Sequence, residues 1–159
     1  MLKDKRSGRI ALVAHCILNQ NSRVFGLAER SSAITEIVEF LMRNVMGIIQ
    51  MPCPELTYAG ILRKSQTKDQ FDNAIFRNHY RKIAEEIVEQ VQEYSKGKIK
   101  ARIIIGVDGS PSCGITDSGI LIEELRSMLK KKGLIVPFYG IRYERLSEDL
   151  NNLEKMIRD

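Results

Sequence analysis

The 159-residue chain has only three cysteines, four prolines and no tryptophan. Three cysteines cannot all pair within one chain, and none of them stands in a CxxC, which excludes thioredoxin-like redox pairs and zinc ribbons. No apolar run comes near the roughly 18 residues that a membrane span needs. The start, MLKDKRSGRIALVAHC, is basic, but its apolar stretch is too soon interrupted for a secretion signal. Internal repeats, low-complexity tracts and interdomain linkers are also lacking. A cytoplasmic protein with no membrane partner is expected.

What the chain does have is ordinary globular composition, 43% hydrophobic and 28% charged. Its length suits one domain over residues 1–159. The charge balance is +5, with a sequence pI near 9.2. The cations are dispersed, however, and Lys130, Lys131 and Lys132 form the longest basic run. Clustering, rather than net charge, is the footprint of nucleic-acid binding, so no nucleic-acid partner is expected.

Four short runs rich in Ile and Val, without clean alternation, read as strands buried on both faces. They are Arg9–His15, Met46–Met51, Ala101–Val107 and Leu134–Tyr139. Helical periodicity fills the intervals over Ala33–Asn44, Asp69–Ser95, Ser118–Lys131 and Ser147–Ile157. In the long second helix Phe71, Ile75, Ile83, Ile87 and Val91 form the apolar stripe, and Ser147 is placed to cap the last helix. Strands alternating with helices predict an α/β fold: a mainly parallel sheet of four or five strands with helices on both faces. Pro137 would interrupt a central ladder and puts the fourth strand at an edge.

Cys16, Cys53 and Cys113 each follow a different predicted strand. In a parallel sheet the carboxyl ends of the strands share one side, where ligands bind. Two readings stay open on this placement: a shared metal or cluster site, or three packing thiols. The loop of Cys113 contains GSPSCGIT, Gly109 to Thr116, which is close to a phosphate-binding loop but has Ile115 in the lysine position. A nucleotide site is not expected there; the loop instead presents Ser110, Ser112 and Cys113 to a crevice. Pro52 and Pro54 flank Cys53, hold it and exclude helix, and Glu55 stands two residues on, within reach as an acid or base. Six residues separate Cys16 from Arg23, one too many for the CX5R loop of cysteine phosphatases. His15 falls at the end of a strand, pointing away from Cys16, and His79 reads as a satisfied core-edge histidine.

Cys16 followed by Arg23 and Gly26, the Cys-Pro-Glu of Cys53 to Glu55, and the GSPSCG of Gly109 to Gly114 together resemble the thiouracil desulfurase family. The likeness runs through nearly the whole chain. It implies a single Rossmann-like domain in which Cys16, Cys53 and Cys113 hold a 4Fe–4S cluster, leaving one iron open for the sulfur of a small thiolated substrate. It further implies Glu55 and Ser110 as catalytic groups and Arg23 and Ser112 at the substrate. Asn19, Val24-Phe25 and the run Leu56 to Arg63 depart from the family pattern, so a thio-compound other than thiouracil is expected. The alternative expectation is a non-catalytic protein whose cysteines bind a cluster or zinc.

Overall fold

The computed structural model describes residues 3–158, so the outermost positions of the expected domain, 1, 2 and 159, lie outside the described residues. Four parallel strands, β1 (Arg9–Val13), β2 (Gly47–Gln50), β3 (Lys100–Val107) and β4 (Phe138–Ile141), form one sheet in the order β2-β1-β3-β4. Successive side chains of a strand point to opposite faces, and both faces here are covered. Ala11, Val13, Ile103, Ile105 and Val107 pack with Ile37, Phe40 and Leu41 of α2 (Thr35–Arg43) and Leu153 and Ile157 of α7 (Leu146–Ile157). Leu12 and Ile104 face α5 (Ala74–Lys96) and α6 (Ile120–Lys131), against Ile83, Ile87, Leu121 and Leu125. The result is the α/β sandwich that the alternation of elements predicts, with the single-domain, Rossmann-like layering.

Three shorter helices complete the chain: α1 (His15–Leu18), α3 (Pro54–Ala59) and α4 (Lys68–Phe71). The sequence pattern does not show α1 or α3, and both carry site cysteines or their neighbours. Pro54 does not exclude helix; it occupies the opening of α3, where its missing N–H would have had no partner. The long helix expected over Asp69–Ser95 is instead α4 and α5, separated at Asp72 and restarted by Asn73, whose side chain accepts the amides of Ile75 and Phe76. That restart turns Ile75 outward, 68% exposed, and puts Tyr80 in the core instead. Arg77 secures the junction, pairing with Asp72 at 2.8 Å, Glu123 at 2.7 Å and Glu124 at 3.2 Å.

The fourth strand lies later than expected, because Pro137 precedes the ladder and contributes only its carbonyl, accepting Ile104 N at 2.9 Å. It is an edge strand, as the proline suggested. Ser147 is not a cap: α7 starts at Leu146, continuing a 3-10 turn at Tyr143–Arg145. No helix among the described residues is long and apolar enough to cross a membrane.

The chain leaves β1 for β2 through α2 on one face and returns to β3 through α5 on the other. β1 and β3 therefore flank the topological switch point, where a crevice opens beyond their carboxyl ends. Gly106, on β3, lets the loop carrying Cys113 lie directly against the strand: a Cβ there would be 1.9 Å from the Cys113 carbonyl oxygen. Backbone stands on both sides of that contact, so no side-chain rotation relieves it. Gly106→Ala should cost at least the ~1–3 kcal/mol of an overpacked site, read as a lower urea midpoint.

Candidate functional site

Each of three loops at the carboxyl end of the sheet is held by its own hydrogen bonds. Beyond β1 the chain turns straight into α1, which contains Cys16. His15 Nδ1 lies 3.2 Å from the Met51 carbonyl oxygen, an acceptor, so that nitrogen carries the proton. His15 thus tethers the first loop to the second instead of projecting to the opposite face of the sheet. Buried Gln20 organises the rest of the loop: its Oε1 accepts Glu29 N at 2.9 Å and Arg30 N at 3.3 Å, while its Nε2 donates to the Cys16 carbonyl at 2.8 Å.

In the second loop Cys53 caps α3, its Sγ accepting Leu56 N at 3.4 Å. Glu55 in the first turn of α3 is not a solvated carboxylate; its side chain is 12% exposed, and Arg63 Nε lies 3.6 Å from its Oε1. Arg63 reaches this position because the chain turns back at Gly60, φ 84°, a left-handed conformation open to glycine. Its guanidinium also donates to the carbonyls of Gly60 and Ser22, binding the second loop to the first.

The third loop is fastened by Asp108. Its carboxylate accepts Ile115 N at 2.8 Å, Thr116 N at 3.0 Å and Thr116 Oγ1 at 2.6 Å, with Arg142 Nε at 3.8 Å. Burial alone would raise this carboxyl, but the Thr116 hydroxyl and the two amides outweigh it and hold the group below the ordinary carboxylate range. Ser110 Oγ accepts Ser112 N at 3.2 Å and Cys113 N at 3.1 Å, and the Cys113 thiol lies 3.3 Å from it. Ser112 is 2% exposed. Its hydroxyl donates to Glu55 Oε2 at 2.7 Å and meets Tyr80 OH at 2.6 Å.

One cavity of about 350 Å³ is lined by all seven residues singled out from sequence: Cys16, Arg23, Cys53, Glu55, Ser110, Ser112 and Cys113. Within it the Ser112 hydroxyl is committed to Glu55 and Tyr80, and Arg23 donates to Tyr143 OH. His79 is apart, half-buried, with Nε2 2.7 Å from Thr57 Oγ1. Sequence reasoning missed Arg63, Tyr80, Asp108, Gln20 and Tyr143. Only Asp108 had a usable signal, since it stands directly after the third predicted strand.

The thiols are electrostatically coupled. Burial pushes Cys16 up to about 12, with a Cys113 thiolate adding to the rise, Arg23 opposing it and Cys53 adding further. Burial likewise raises Cys53, against the Leu56 amide, and Cys113, against the Ser110 hydroxyl. Three half-buried thiols that resist ionisation beside one another gain most from a cationic centre that takes them as thiolates. As a donor set they fit a cluster with three protein sulfurs and no fourth, since the chain contains no other cysteine. No group of three or more His, Cys, Asp and Glu side chains among the described residues forms a metal-ion site.

No protein-family model and no solved structure matches the chain. The uncharacterized protein MJ0003 of Methanocaldococcus jannaschii is 43% identical over 155 residues, covering 94% of this chain and 97% of that protein.

Because burial favours the protonated form of these thiols, a cation bound through them would displace protons, and any affinity for iron should rise from pH 6 to pH 9. The metal-free fold responds in the opposite direction: its stability should fall as pH climbs from about 9 towards 12, where Cys16 ionises far more readily in the unfolded chain. Iron-binding isotherms and urea unfolding across pH check both statements.

Proposed function

We propose that this chain, which belongs to one family with the Methanocaldococcus jannaschii protein, removes sulfur hydrolytically from a small thiocarbonyl compound in the cytoplasm. The observation that carries the reading is the meeting of Cys16, Cys53 and Cys113 with Glu55 and Ser110 in one cavity beyond the strand ends. It agrees with the likeness of the three loop motifs to the thiouracil desulfurase family. Replacing C=S by C=O with water, and releasing hydrosulfide, requires no net electrons.

In this reading Cys16, Cys53 and Cys113 are the ligands of a 4Fe–4S cluster. When bound, the cluster supplies a Lewis-acidic iron free of protein sulfur, which polarises the substrate thiocarbonyl. The rest of the chemistry belongs to the chain's own side chains. Glu55 Oε2 is fixed by the Ser112 hydroxyl, leaving Oε1 to take a proton from water attacking the carbon and to return it as sulfur departs. Arg63 balances the Glu55 charge. Ser110 has one hydroxyl proton, which can turn from the Cys113 sulfur towards the substrate's.

Anaerobic reconstitution tests the proposal directly. It should give close to four irons and four sulfides per chain, with broad absorption near 400 nm, and hydrosulfide release from a thiolated heterocycle or thioamide without added reductant. Replacing any one of Cys16, Cys53 or Cys113 by Ala should abolish or strongly weaken cluster binding. Full incorporation into the triple Cys→Ala chain would end the proposal. A strict need for an electron donor would favour a redox protein, and zinc in place of iron a zinc module.

Glu55→Gln retains size and polarity but loses the proton-carrying oxygen. Turnover should drop by ~10²–10⁴-fold, the usual share of general acid–base assistance, with iron content unchanged. Wild-type turnover in the cluster-replete variant would remove Glu55 from the chemistry.

A further inference from the structure

Tyr80 stands behind Ser112, outside the cavity lining, and is fully buried with Ile83, Ala84 and Ile87. Phenylalanine would fill that apolar place equally well. A hydroxyl buried there costs free energy unless it is hydrogen-bonded, and the Tyr80 hydroxyl has Ser112 Oγ at 2.6 Å. Counting protons gives this bond its direction. Glu55 faces the Arg63 guanidinium as a carboxylate and can only accept. The one Ser112 hydroxyl proton therefore goes to Glu55 Oε2, 2.7 Å away. The Ser112 oxygen is left to accept, so Tyr80 donates. With Ser112 only 2% exposed, water does not compete for the middle of this chain. Arg63 Nε, 3.6 Å from Oε1, is beyond hydrogen-bond length. Among the described residues, Ser112 thus gives the Glu55 carboxylate its one side-chain hydrogen bond.

We propose that Tyr80 is a positioning residue: by donating to Ser112 from the core, it turns the Ser112 proton onto Glu55 Oε2 and keeps Oε1 free for chemistry. A hydroxyl that accepts one hydrogen bond donates the next more strongly, so Tyr80 tightens the hold on Glu55 without touching it. Glu55 lies in the opening turn of a six-residue helix, α3, which alone is a weak support for a carboxylate. The chain refers its orientation instead to α5, the longest helix of the core. Without the phenol, Ser112 still has Glu55 to donate to, but its oxygen loses the partner that stops the hydroxyl from rotating. The direction of the chain stands on these contacts alone, whereas its consequence for turnover rests on the proposed function.

The test uses the full-length, metal-free chain with its tyrosines carbon-labelled at Cζ for NMR, and Tyr80→Phe identifies the Tyr80 signal. In a mixture of light and heavy water, a hydroxyl held away from solvent exchanges slowly and splits its Cζ signal in two. The Tyr80 signal should be split in the wild type and displaced in Ser112→Ala. It should also be displaced in Glu55→Gln, although Tyr80 does not touch Glu55. Adding Glu55→Gln to Ser112→Ala should move it no further, because the link between them is gone. An unsplit wild-type signal, or a Glu55→Gln displacement that is the same with and without Ser112, would overturn the chain. After anaerobic reconstitution to equal iron content, hydrosulfide release from thioacetamide and 2-thiouracil gives the second readout. Tyr80→Phe should lower kcat several-fold with KM unchanged, and should lower it no further in the Glu55→Gln chain. Unchanged kcat, or an equal loss in both backgrounds, would overturn the positioning of Glu55. Coupled Tyr80 signals in a chain that releases hydrosulfide from neither compound would count against the proposed function and leave the hydroxyl chain standing.

Discussion

Everything at the site depends on the parallel pairing of β1 with β2 on one side and β3 on the other. Parallel strands end on the same side, and the switch in connection direction at β1 and β3 keeps the space beyond them open. Residues 16, 53 and 113 reach one cavity by that means alone, without a local motif joining them. The sheet is buried by α2 and α7 below and α5 and α6 above, so the strand ends are held by the whole core. Shifting one strand's register would turn its side chains to the other face and move its loop.

Within this frame the cavity holds an unusual balance of charge. Its two arginines are committed to protein groups, Arg63 to Glu55 and two carbonyls, Arg23 to Tyr143. Neither is close enough in effect to offset the burial that keeps the thiols protonated. Burial thus favours the protonated form of all three thiols. Under the proposed function the same burial is what makes an incoming cationic centre valuable, because it alone makes three adjacent thiolates tolerable.

The strands were legible in the sequence because short Ile/Val runs between polar helices leave few other readings, and with them came the cysteines at the strand ends. Elements that depend on how the chain folds back were not. Arg63 meets Glu55 because of a left-handed turn at Gly60, and nothing in an eight-residue separation announces that. Tyr80 looks like any helical aromatic until Asn73 restarts the helix and points it at Ser112. Tyr143 was hidden by a displaced boundary: with the fourth strand read as ending at Tyr139, residue 143 lies away from a strand end, whereas β4 in fact ends at Ile141. Pro54 misled for a related reason, since proline forbids the interior of a helix but suits its first position.

The third loop joins Cys113 mechanically to the Glu55 carboxylate. Ser110 and Ser112 alternate in direction: the first caps the amides around Cys113, while the second holds Glu55 from a different loop. Asp108 ties the loop's far end back to its start, and Gly140 on β4 leaves room for that carboxylate, since a Cβ there would stand 2.1 Å from its Oδ1. Glu55 is thus held from the Cys113 loop through Ser112, which Tyr80 on α5 meets in turn. Any displacement of Cys113 carries Ser112 with it, and Ser112 carries the Glu55 carboxylate. Under the proposed function the acid–base group and the Cys113 sulfur are thus set by one loop, so their relative placement is determined when that loop folds.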